Sequence, residues 1–327
     1  MPQKLLSFVI PVYRNAGSLR ITYEKVNSYV REYFPALQLE MIFVNDGSDD
    51  SSLAELLSVS ERDAAVKILD FSRNFGQVAA IIAGLREARG DAVIVMSADL
   101  QDPVTLIGTL VEEWKQGNRV VVAYRANRED GLSARLTSAI FYRLIKLSVP
   151  SMPPGGFDFL LLDRQANDVL RELEERNRFF QGDVLWLGFG VKFVPYERQR
   201  REFGKSQWKL AKKVKYFIDG FLTTSYISIR FISLLGILIA AAGFLYALVV
   251  VYARVFHKTP FVGWAPLMIV LLMVGGMTMI MLGIIGEYVW RIYDETRKRP
   301  LYIVKERYGK DAVRKSEARI EDQAQNA

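Results

Sequence analysis

Short apolar runs alternate with amphipathic segments over about the first 125 residues of the chain. The apolar runs predict five strands, at Leu5–Val12, Leu39–Val44, Val66–Phe71, Asp91–Met96 and Arg119–Ala123. The segments between them predict four helices, at Ser18–Glu32, Ser51–Arg62, Gln77–Ala88 and Val104–Lys115. Regular alternation of strands and helices is typical of a mostly parallel sheet with helices on both faces, so we predict an α/β fold.

Polar clusters follow four of these predicted strands directly. They are Tyr13–Asn15, Asn45–Ser48, Ser72–Gln77 and Ser97–Asp102. The carboxyl ends of parallel strands meet at one edge of a sheet, and folds of this kind bind their ligands there. We therefore expect the functional site at this edge.

The pattern is less regular in the middle of the chain. Gly131–Val149 predicts a helix, after which prolines and glycines interrupt the chain. Phe157–Leu162 predicts a strand that carries Asp158, Gln165–Glu175 predicts a helix, and Gly190–Tyr196 predicts a further strand.

The last third of the chain has the pattern of a membrane-bound protein. Gln207–Ile229 is amphipathic, with four lysines opposite large apolar side chains, and predicts a helix in the membrane interface. Phe231–Ala253 and Pro266–Val289 are each about long enough to cross a bilayer as a helix, which takes roughly 20 apolar residues. We therefore divide the chain into residues 1–206, a cytoplasmic domain; 207–230, an interfacial region; 231–290, two transmembrane helices; and 291–327, a cytoplasmic tail.

The net charge of +7 is concentrated beside the two apolar segments. The flanking basic residues are Lys209, Lys212, Lys213, Lys215, Arg230, Arg291, Arg297, Lys298, Arg299, Lys305 and Arg307. This placement favours anionic lipid over nucleic acid, which selects a basic face interleaved with aromatic residues. The loop between the segments has only Arg254, His257 and Lys258, so we expect a multi-pass protein of the inner membrane with both termini in the cytoplasm.

Cysteine and histidine usage narrows the chemistry further. The chain has no cysteine, which excludes disulfides and thiol catalysis. Its only histidine, His257, lies in the predicted loop between the spans, so we do not expect a histidine base. Leu5–Val12 is too short for a signal peptide and is interrupted at Pro11, so none is expected there.

The cluster after the fourth predicted strand is the candidate metal site. Asp99 and Gln101 offer hard oxygen ligands, which suit a Mg²⁺ or Mn²⁺ ion that holds a diphosphate. The alternative role is a helix cap before Pro103, which Asp102 fills better because it directly precedes the proline. That assignment leaves Asp99 and Gln101 for the metal.

Three other groups each have two interpretations. Asp46 is either an acceptor for a nucleotide base or ribose, or a turn residue beside Gly47. Arg125, Arg128, Arg135, Arg198, Arg200, Arg201 and Lys205 are either phosphate ligands or a solvated basic face. Asp158 is either an acid at the reacting centre or a structural partner of an arginine.

Taken together, these residues resemble a family, the membrane-bound polyprenyl-phosphate glycosyltransferases of glycosyltransferase family 2. That group includes dolichyl-phosphate mannose synthases, bactoprenol glucosyltransferases and undecaprenyl-phosphate aminoarabinose transferases. The resemblance covers Leu5 to about Val304. The matching motifs are Phe8–Tyr13, Asn45–Ser48, Arg73–Gln77, Ala98–Pro103, Arg125–Asp130, Asp158 with Asp163-Arg164, Arg201–Ser206, Gly286–Tyr288, Arg291–Tyr293 and Arg299-Pro300. Their order, together with two terminal spans, makes the match specific.

The resemblance implies a GT-A type domain and a role for each matched residue. Pro11, Tyr13, Asp46 and Arg125 would bind the nucleotide-sugar, with Arg201 and Lys205 on a loop that closes on the diphosphate. Asp99, with Gln101 beside it, would bind Mg²⁺ or Mn²⁺. Arg128, Arg135 and Ser138 would hold the lipid phosphate, and Asp158 would lie near the acceptor phosphate and the sugar. Ser97 stands where such enzymes have the first acid of an Asp-X-Asp motif.

The implied reaction is the transfer of a sugar, with inversion, from a nucleotide diphosphate, most simply UDP, to a polyprenyl phosphate such as undecaprenyl phosphate. The implied partners are the membrane and further copies of the chain, because the family tends to form tetramers. Two alternatives stay open. A processive polysaccharide synthase has a Gln-X-X-Arg-Trp motif, whose arginine Gln181–Trp186 lacks; an inactive lipid-binding scaffold is suggested by Ser97, Asn15 and Gln207.

Overall fold

The computed structural model describes residues 3–99, 101–127, 146, 149–197, 227–256 and 264–309. The chain divides into two compact units, Met1–Thr223 with Pro300–Ala327, and Thr224–Arg299. Each unit is described by itself. Most of Gly131–Val149, the part of Gln207–Ile229 before Ile227, His257 and the tail from Lys310 lie outside the described residues.

The first unit is built on one eight-stranded, mostly parallel sheet, which confirms the predicted α/β class. The strands are β1 (Leu5–Val12), β2 (Gln38–Asn45), β3 (Val66–Phe71), β4 (Ala92–Val95), β5 (Val120–Asn127), β6 (Phe159–Asp163), β7 (Val191–Glu197) and β8 (Val304–Tyr308). Their order across the sheet is β7-β5-β6-β4-β1-β2-β3-β8. Only β6 and β8 run antiparallel to their neighbours.

Helices cover both faces of this sheet. They are α1 (Leu19–Tyr33), α2 (Ser52–Ser60), α3 (Gln77–Glu87), α4 (Leu106–Lys115), α5 (Arg164–Glu172) and α6 (Phe180–Trp186). Residues of α1, α2 and α4 pack with Phe8 and Ile10 in one core, whereas residues of α3, α5 and α6 pack with Val9 in a second core. The alternation along β1 therefore buries both faces, as a central strand of a doubly covered sheet requires.

Strand directions decide which loops share an edge. The parallel strands β1, β2 and β4 end side by side, since Val12 pairs with Asn45 and Val9 pairs with Val95. Because β6 is antiparallel, its first residues lie at this same edge, where Leu160 pairs with Val95. The segment before β6 is thereby brought to the carboxyl ends of the parallel strands.

Three features differ from the sequence prediction. Asp158 lies one residue before β6 rather than within the strand. Helix α6 was not predicted, and the predicted helix Gln165–Glu175 starts one residue earlier and ends at Glu172. The expected tail 291–327 contains β8, which pairs with β3 and extends the sheet, because β3 would otherwise expose an unpaired edge.

The second unit contains two long helices, α7 (Ile227–Phe256) and α8 (Trp264–Thr296). Among the described residues, one segment, Met273–Thr296, is long and apolar enough to cross a membrane, and Gly236–Tyr246 is a shorter apolar segment. Two transmembrane helices were predicted, and the criterion of length and hydropathy supports one of them, within α8. Within α8, Arg291 donates to Glu287, one turn earlier in the helix, at 3.1 Å.

Candidate active site

The edge formed by the carboxyl ends of β1, β2, β4 and β5 holds the described members of the predicted site. Asp46 follows β2, Asp99 follows β4, Arg125 lies near the end of β5, and Asp158 directly precedes β6. Residues that are far apart in the sequence are therefore presented along one edge of the sheet, as predicted.

Asp99 is nearly buried and is held by its own loop. Its Oδ1 accepts a hydrogen bond from the Ser97 hydroxyl at 2.8 Å and one from the backbone N–H of Gln101 at 3.3 Å. The backbone of this loop is tied to α1, because the hydroxyls of Ser18 and Thr22 donate to the Ala98 carbonyl. The carboxylate of Asp99 is thus oriented before any ligand arrives.

Asp102 does not have the predicted role of a helix cap. Helix α4 begins three residues after Pro103, at Leu106, with Thr105 at the N-cap position. The Asp102 carboxylate instead accepts from the Tyr196 hydroxyl at 2.6 Å and lies 3.0 Å from the Ser97 hydroxyl. The local Asp-Pro signal was outweighed by a partner on β7, 94 residues along the chain.

Arg125 and Asp158 form an ion pair with an N–O distance of 2.6 Å. The Arg125 side chain is 14% exposed and that of Asp158 is 43% exposed. Burial alone would lower the pKa of the Arg125 guanidinium, but the charge of Asp158, with contributions from Tyr196 and Asp102, outweighs burial and raises that pKa. The site therefore keeps a fixed cation beside an accessible carboxylate.

Asp46 organises the loop that follows β3. Its two carboxylate oxygens accept hydrogen bonds from the backbone N–H groups of Phe75, at 2.6 Å, and Gly76, at 2.9 Å. Gly47 has φ of +63°, and a Cβ there would lie 2.3 Å from the carbonyl carbon of Arg73. Only glycine fits at this position, which supports the turn interpretation of this motif, and Asp46 in addition holds the loop after β3.

Pro11 and Tyr13 mark the end of β1 and the start of its polar loop. Both are half-buried, and the Tyr13 backbone N–H donates to Asn15 at 2.9 Å. Arg14, with φ of +54°, forms a two-point ion pair with Asp49 at 2.5–2.6 Å. This pair raises the pKa of Arg14 and lowers that of Asp49, and it links the loops after β1 and β2.

Gln181 supports the backbone beside Asp158. Its side-chain amide donates to the Phe157 carbonyl at 2.6 Å, and both residues are buried. Asp183, two residues on, pairs with Arg178 at 2.7 Å. Burial raises the pKa of Asp183, although Arg178 opposes this shift. The segment Gln181–Trp186 therefore contributes packing beneath the site in the described structure.

The donor set at Asp99 fits a magnesium or manganese ion. Among the described residues, no group of three or more His, Cys, Asp or Glu side chains lies close enough to hold a metal. Mg²⁺ is commonly bound through one or two carboxylates, with substrate phosphates and water completing its octahedron. The Asp99 carboxylate and the side-chain amide of Gln101, two residues later in the same loop, are donors of this chemical type.

Seven candidate residues lie outside the described part of the chain. They are Arg128, Arg135, Ser138, Arg198, Arg200, Arg201 and Lys205. In contrast, Tyr196 was not among the predicted site residues. Its only signal was a position at the end of an apolar strand, where a buried phenol requires a hydrogen-bond partner.

The first half of the chain matches a known protein family. Residues 7–170 match the family described as Glycosyl transferase family 2, and this region contains Asp46, Asp99, Arg125 and Asp158. The chain belongs to this family and is a glycosyltransferase, as its motifs predicted.

Similar proteins cover most of the chain. An uncharacterized glycosyltransferase, YkcC, of Bacillus subtilis is 40% identical over 305 residues, which are 93% of this chain and 94% of the relative. The bactoprenol glucosyl transferase of Shigella phage SfX is 34% identical over 304 residues, 92% of this chain and 99% of the relative. Glucosyl-3-phosphoglycerate synthase from Mycobacterium tuberculosis, solved in complex with Mn²⁺, UDP-glucose and phosphoglyceric acid, has a TM-score of 0.45 and 14% identity, covering 66% of this chain and 76% of that chain.

Proposed function

We propose that this glycosyltransferase moves a sugar from a UDP-sugar to a polyprenyl phosphate, with inversion, at the cytoplasmic face of the membrane. Undecaprenyl phosphate is the acceptor that we favour, because a relative of similar length and 34% identity is named a bactoprenol glucosyl transferase. The product is a lipid carrying one sugar through a single phosphate.

The observation that carries this proposal is the placement of a carboxylate and an ion pair along one sheet edge. Asp99 follows β4, and the Arg125–Asp158 pair lies between the end of β5 and the start of β6. The strands β4 and β5 are both paired with β6, so these groups are on successive strands. This arrangement supports a site in which the diphosphate and the acceptor would react side by side.

On the donor side, Pro11, Tyr13 and Asp46 line the nucleotide pocket, and Arg125 approaches the sugar. Asp99 and Gln101 would hold a divalent ion, which would supply positive charge against the departing diphosphate. We assign Arg201 and Lys205 to the same diphosphate, since guanidinium and ammonium groups stabilise charge that grows on a leaving group.

On the acceptor side, Arg128, Arg135 and Ser138 hold the lipid phosphate. A phosphate oxygen attacks the anomeric carbon in line; the new carbon–oxygen bond forms as the bond to the diphosphate breaks, and the electron pair leaves with the diphosphate. Because phosphate is already anionic near neutral pH, this step requires no strong base. Asp158 orients Arg125 and the reacting groups, and no proton transfer is assigned to it.

The membrane part of the proposal rests on α7 and α8. Large apolar side chains on both helices are exposed, among them Ile237, Phe244 and Leu271, and exposed apolar surface of this extent is characteristic of lipid-facing helices. We propose that both helices cross the bilayer with both termini in the cytoplasm, and that copies of the chain associate, as the family resemblance implies.

The decisive experiment uses the full chain, purified in detergent, with undecaprenyl phosphate and Mn²⁺. Individual UDP-sugars and GDP-mannose are supplied, and the lipid fraction is analysed by mass spectrometry. We expect one donor to give a lipid whose mass increases by a single sugar. Nucleotide binding without turnover of any donor would favour the scaffold alternative, and a ladder of longer products would favour a processive synthase.

A further inference from the structure

A series of polar contacts runs from the partly buried Ser97 through Asp102 to Tyr196. The Ser97 hydroxyl lies 2.8 Å from Asp99 and 3.0 Å from Asp102. The other Asp102 oxygen accepts from the Tyr196 hydroxyl at 2.6 Å. Asp102 is 2% exposed and Tyr196 is 6% exposed, so these contacts are shielded from water.

Asp102 is the carboxylate in this series of contacts that lies within hydrogen-bond distance of both the Ser97 and the Tyr196 hydroxyls. A serine hydroxyl has one proton and can donate to only one of the two carboxylates at a time, whereas the Tyr196 hydroxyl donates to Asp102. Burial, followed by the charge of Asp102, raises the pKa of Tyr196, so this phenol keeps its proton over the physiological range. Asp102 therefore accepts from the Tyr196 hydroxyl on β7 and shares the Ser97 hydroxyl with Asp99.

Tyr196 also lies beside the Arg125–Asp158 ion pair, because Arg125 is on the neighbouring strand β5. Tyr196 pairs with Arg125 across the β5–β7 ladder. The proximity of Tyr196 and Asp102 helps to raise the pKa of the Arg125 guanidinium. We therefore expect both residues to influence the position of Arg125, in addition to its ion pair with Asp158.

We propose that Tyr196 and Asp102 are positioning residues that fix Arg125, and through it Asp158, relative to the Asp99 loop. They act on the substrate only through these partners. The inference rests on the proposed transfer reaction and adds two residues to its machinery. Its rival is a purely structural pair that joins β7 to the loop before α4.

The test compares Tyr196→Phe with Tyr23→Phe in the full chain. Tyr23, on α1, is a matched control, because its hydroxyl also donates to a carboxylate, that of Asp63, at 2.7 Å. We expect Tyr196→Phe to lower kcat about 10- to 100-fold, as is typical when a supporting hydrogen bond is lost, with KM for the UDP-sugar changing less than kcat. Tyr23→Phe should retain wild-type kcat. Equal kcat in the two variants would overturn the proposal.

A second comparison separates positioning from general damage. In an Arg125→Lys background, Tyr196→Phe should reduce kcat much less than it does in the wild type, because its effect passes through the guanidinium. The same fold loss in both backgrounds would support the structural rival.

A measurement without turnover distinguishes this inference from the proposed function. Hydrogen exchange at the β5 amides 124–127 should be faster in Tyr196→Phe and unchanged in Tyr23→Phe. If the wild type makes no lipid-linked sugar, the proposed function fails while the exchange result still decides whether Tyr196 restrains Arg125. Unchanged exchange in Tyr196→Phe would overturn the inference by itself.

Discussion

The Asp158 carboxylate lies 2.6 Å from the Arg125 guanidinium, just beyond the last residue pair that joins β5 to β6. Asp158 is the more exposed partner, at 43% against 14%. The pair therefore combines a shielded cation with an anion that faces the solvent side of the site. Because of this asymmetry, we expect the loss of the Arg125 cation to reduce transfer at least as strongly as the loss of the Asp158 charge.

Asp158→Asn should reduce kcat/KM by about 100-fold, because it leaves a largely buried guanidinium without its counter-ion. Arg125→Ala should reduce transfer at least as strongly, since the fixed cation is lost. In the double variant the losses should not add, because each single change already breaks the same pair. Steady-state kinetics on all four proteins checks this, and additive losses would show that the residues act independently.

Asp99→Asn should abolish transfer and metal-dependent UDP binding while leaving the protein folded. Removal of divalent ions with EDTA should have the same effect on the wild type, reversed by Mn²⁺. A suitable control is Glu112→Gln, an equal loss of charge at an exposed ion pair with Lys115 on α4. Calorimetric titration of UDP with and without Mn²⁺ measures the outcome; near-normal activity in Asp99→Asn would remove the metal assignment.

Asp46→Asn should weaken UDP binding and lower the thermal midpoint. An amide has one acceptor oxygen, so one of the two N–H groups of Phe75 and Gly76 would lose its partner. An unsatisfied buried group costs about 1–3 kcal/mol. Asp49→Asn removes the same charge from an exposed pair and should change both properties little. Equal effects of the two changes would point to charge rather than loop geometry.

Arg128→Ala should raise the KM for the lipid phosphate more than the KM for the UDP-sugar. The expectation follows from the proposed assignment of Arg128 to the acceptor phosphate, where a guanidinium binds phosphate oxygens through two hydrogen bonds. Varying each substrate at saturation of the other gives both constants. The reverse pattern would mean that the donor and acceptor anion sites have been exchanged.

Local sequence signals were sufficient for the central fold. The mainly apolar runs Leu5–Val12 and Val66–Phe71 coincide with β1 and β3, because buried strands of a parallel sheet are mainly apolar along their length. Helix α3 begins at Gln77, directly after Gly76, as predicted. The placement of Asp46 after β2 and of Asp99 after β4, at the sheet edge, followed from the predicted strands alone.

Long-range pairing was not accessible from the same signals. β8 contains three charged residues among five, and its strand conformation depends on the edge of β3 more than 200 residues earlier. Asp102 precedes Pro103 and so has the local pattern of a cap, yet its partner Tyr196 is 94 residues away. For both β8 and Asp102, the conformation or role is determined by distant partners, which local sequence patterns do not reveal.

The segment after α8 allows a test of how β8 supports the loop held by Asp46. The Tyr302 ring stacks on Phe71, with centroids 5.1 Å apart, and the next carbonyl, of Ile303, accepts from the Ser72 backbone N–H at 3.1 Å. Ser72 begins the loop that Asp46 holds at Phe75. We expect this contact to restrain the loop from the side opposite Asp46.

Tyr302→Ala should therefore speed hydrogen exchange at the Ser72 amide and weaken UDP binding several-fold. A stacked aromatic pair contributes about 0.5–1.5 kcal/mol beyond its buried area, which is enough to shift such a loop. Tyr302→Phe keeps the ring and serves as the control, so it should match the wild type in both measurements. Faster exchange at Ser72 with unchanged UDP affinity would separate β8 from the nucleotide site, because the loop would then be loosened without any consequence for the ligand.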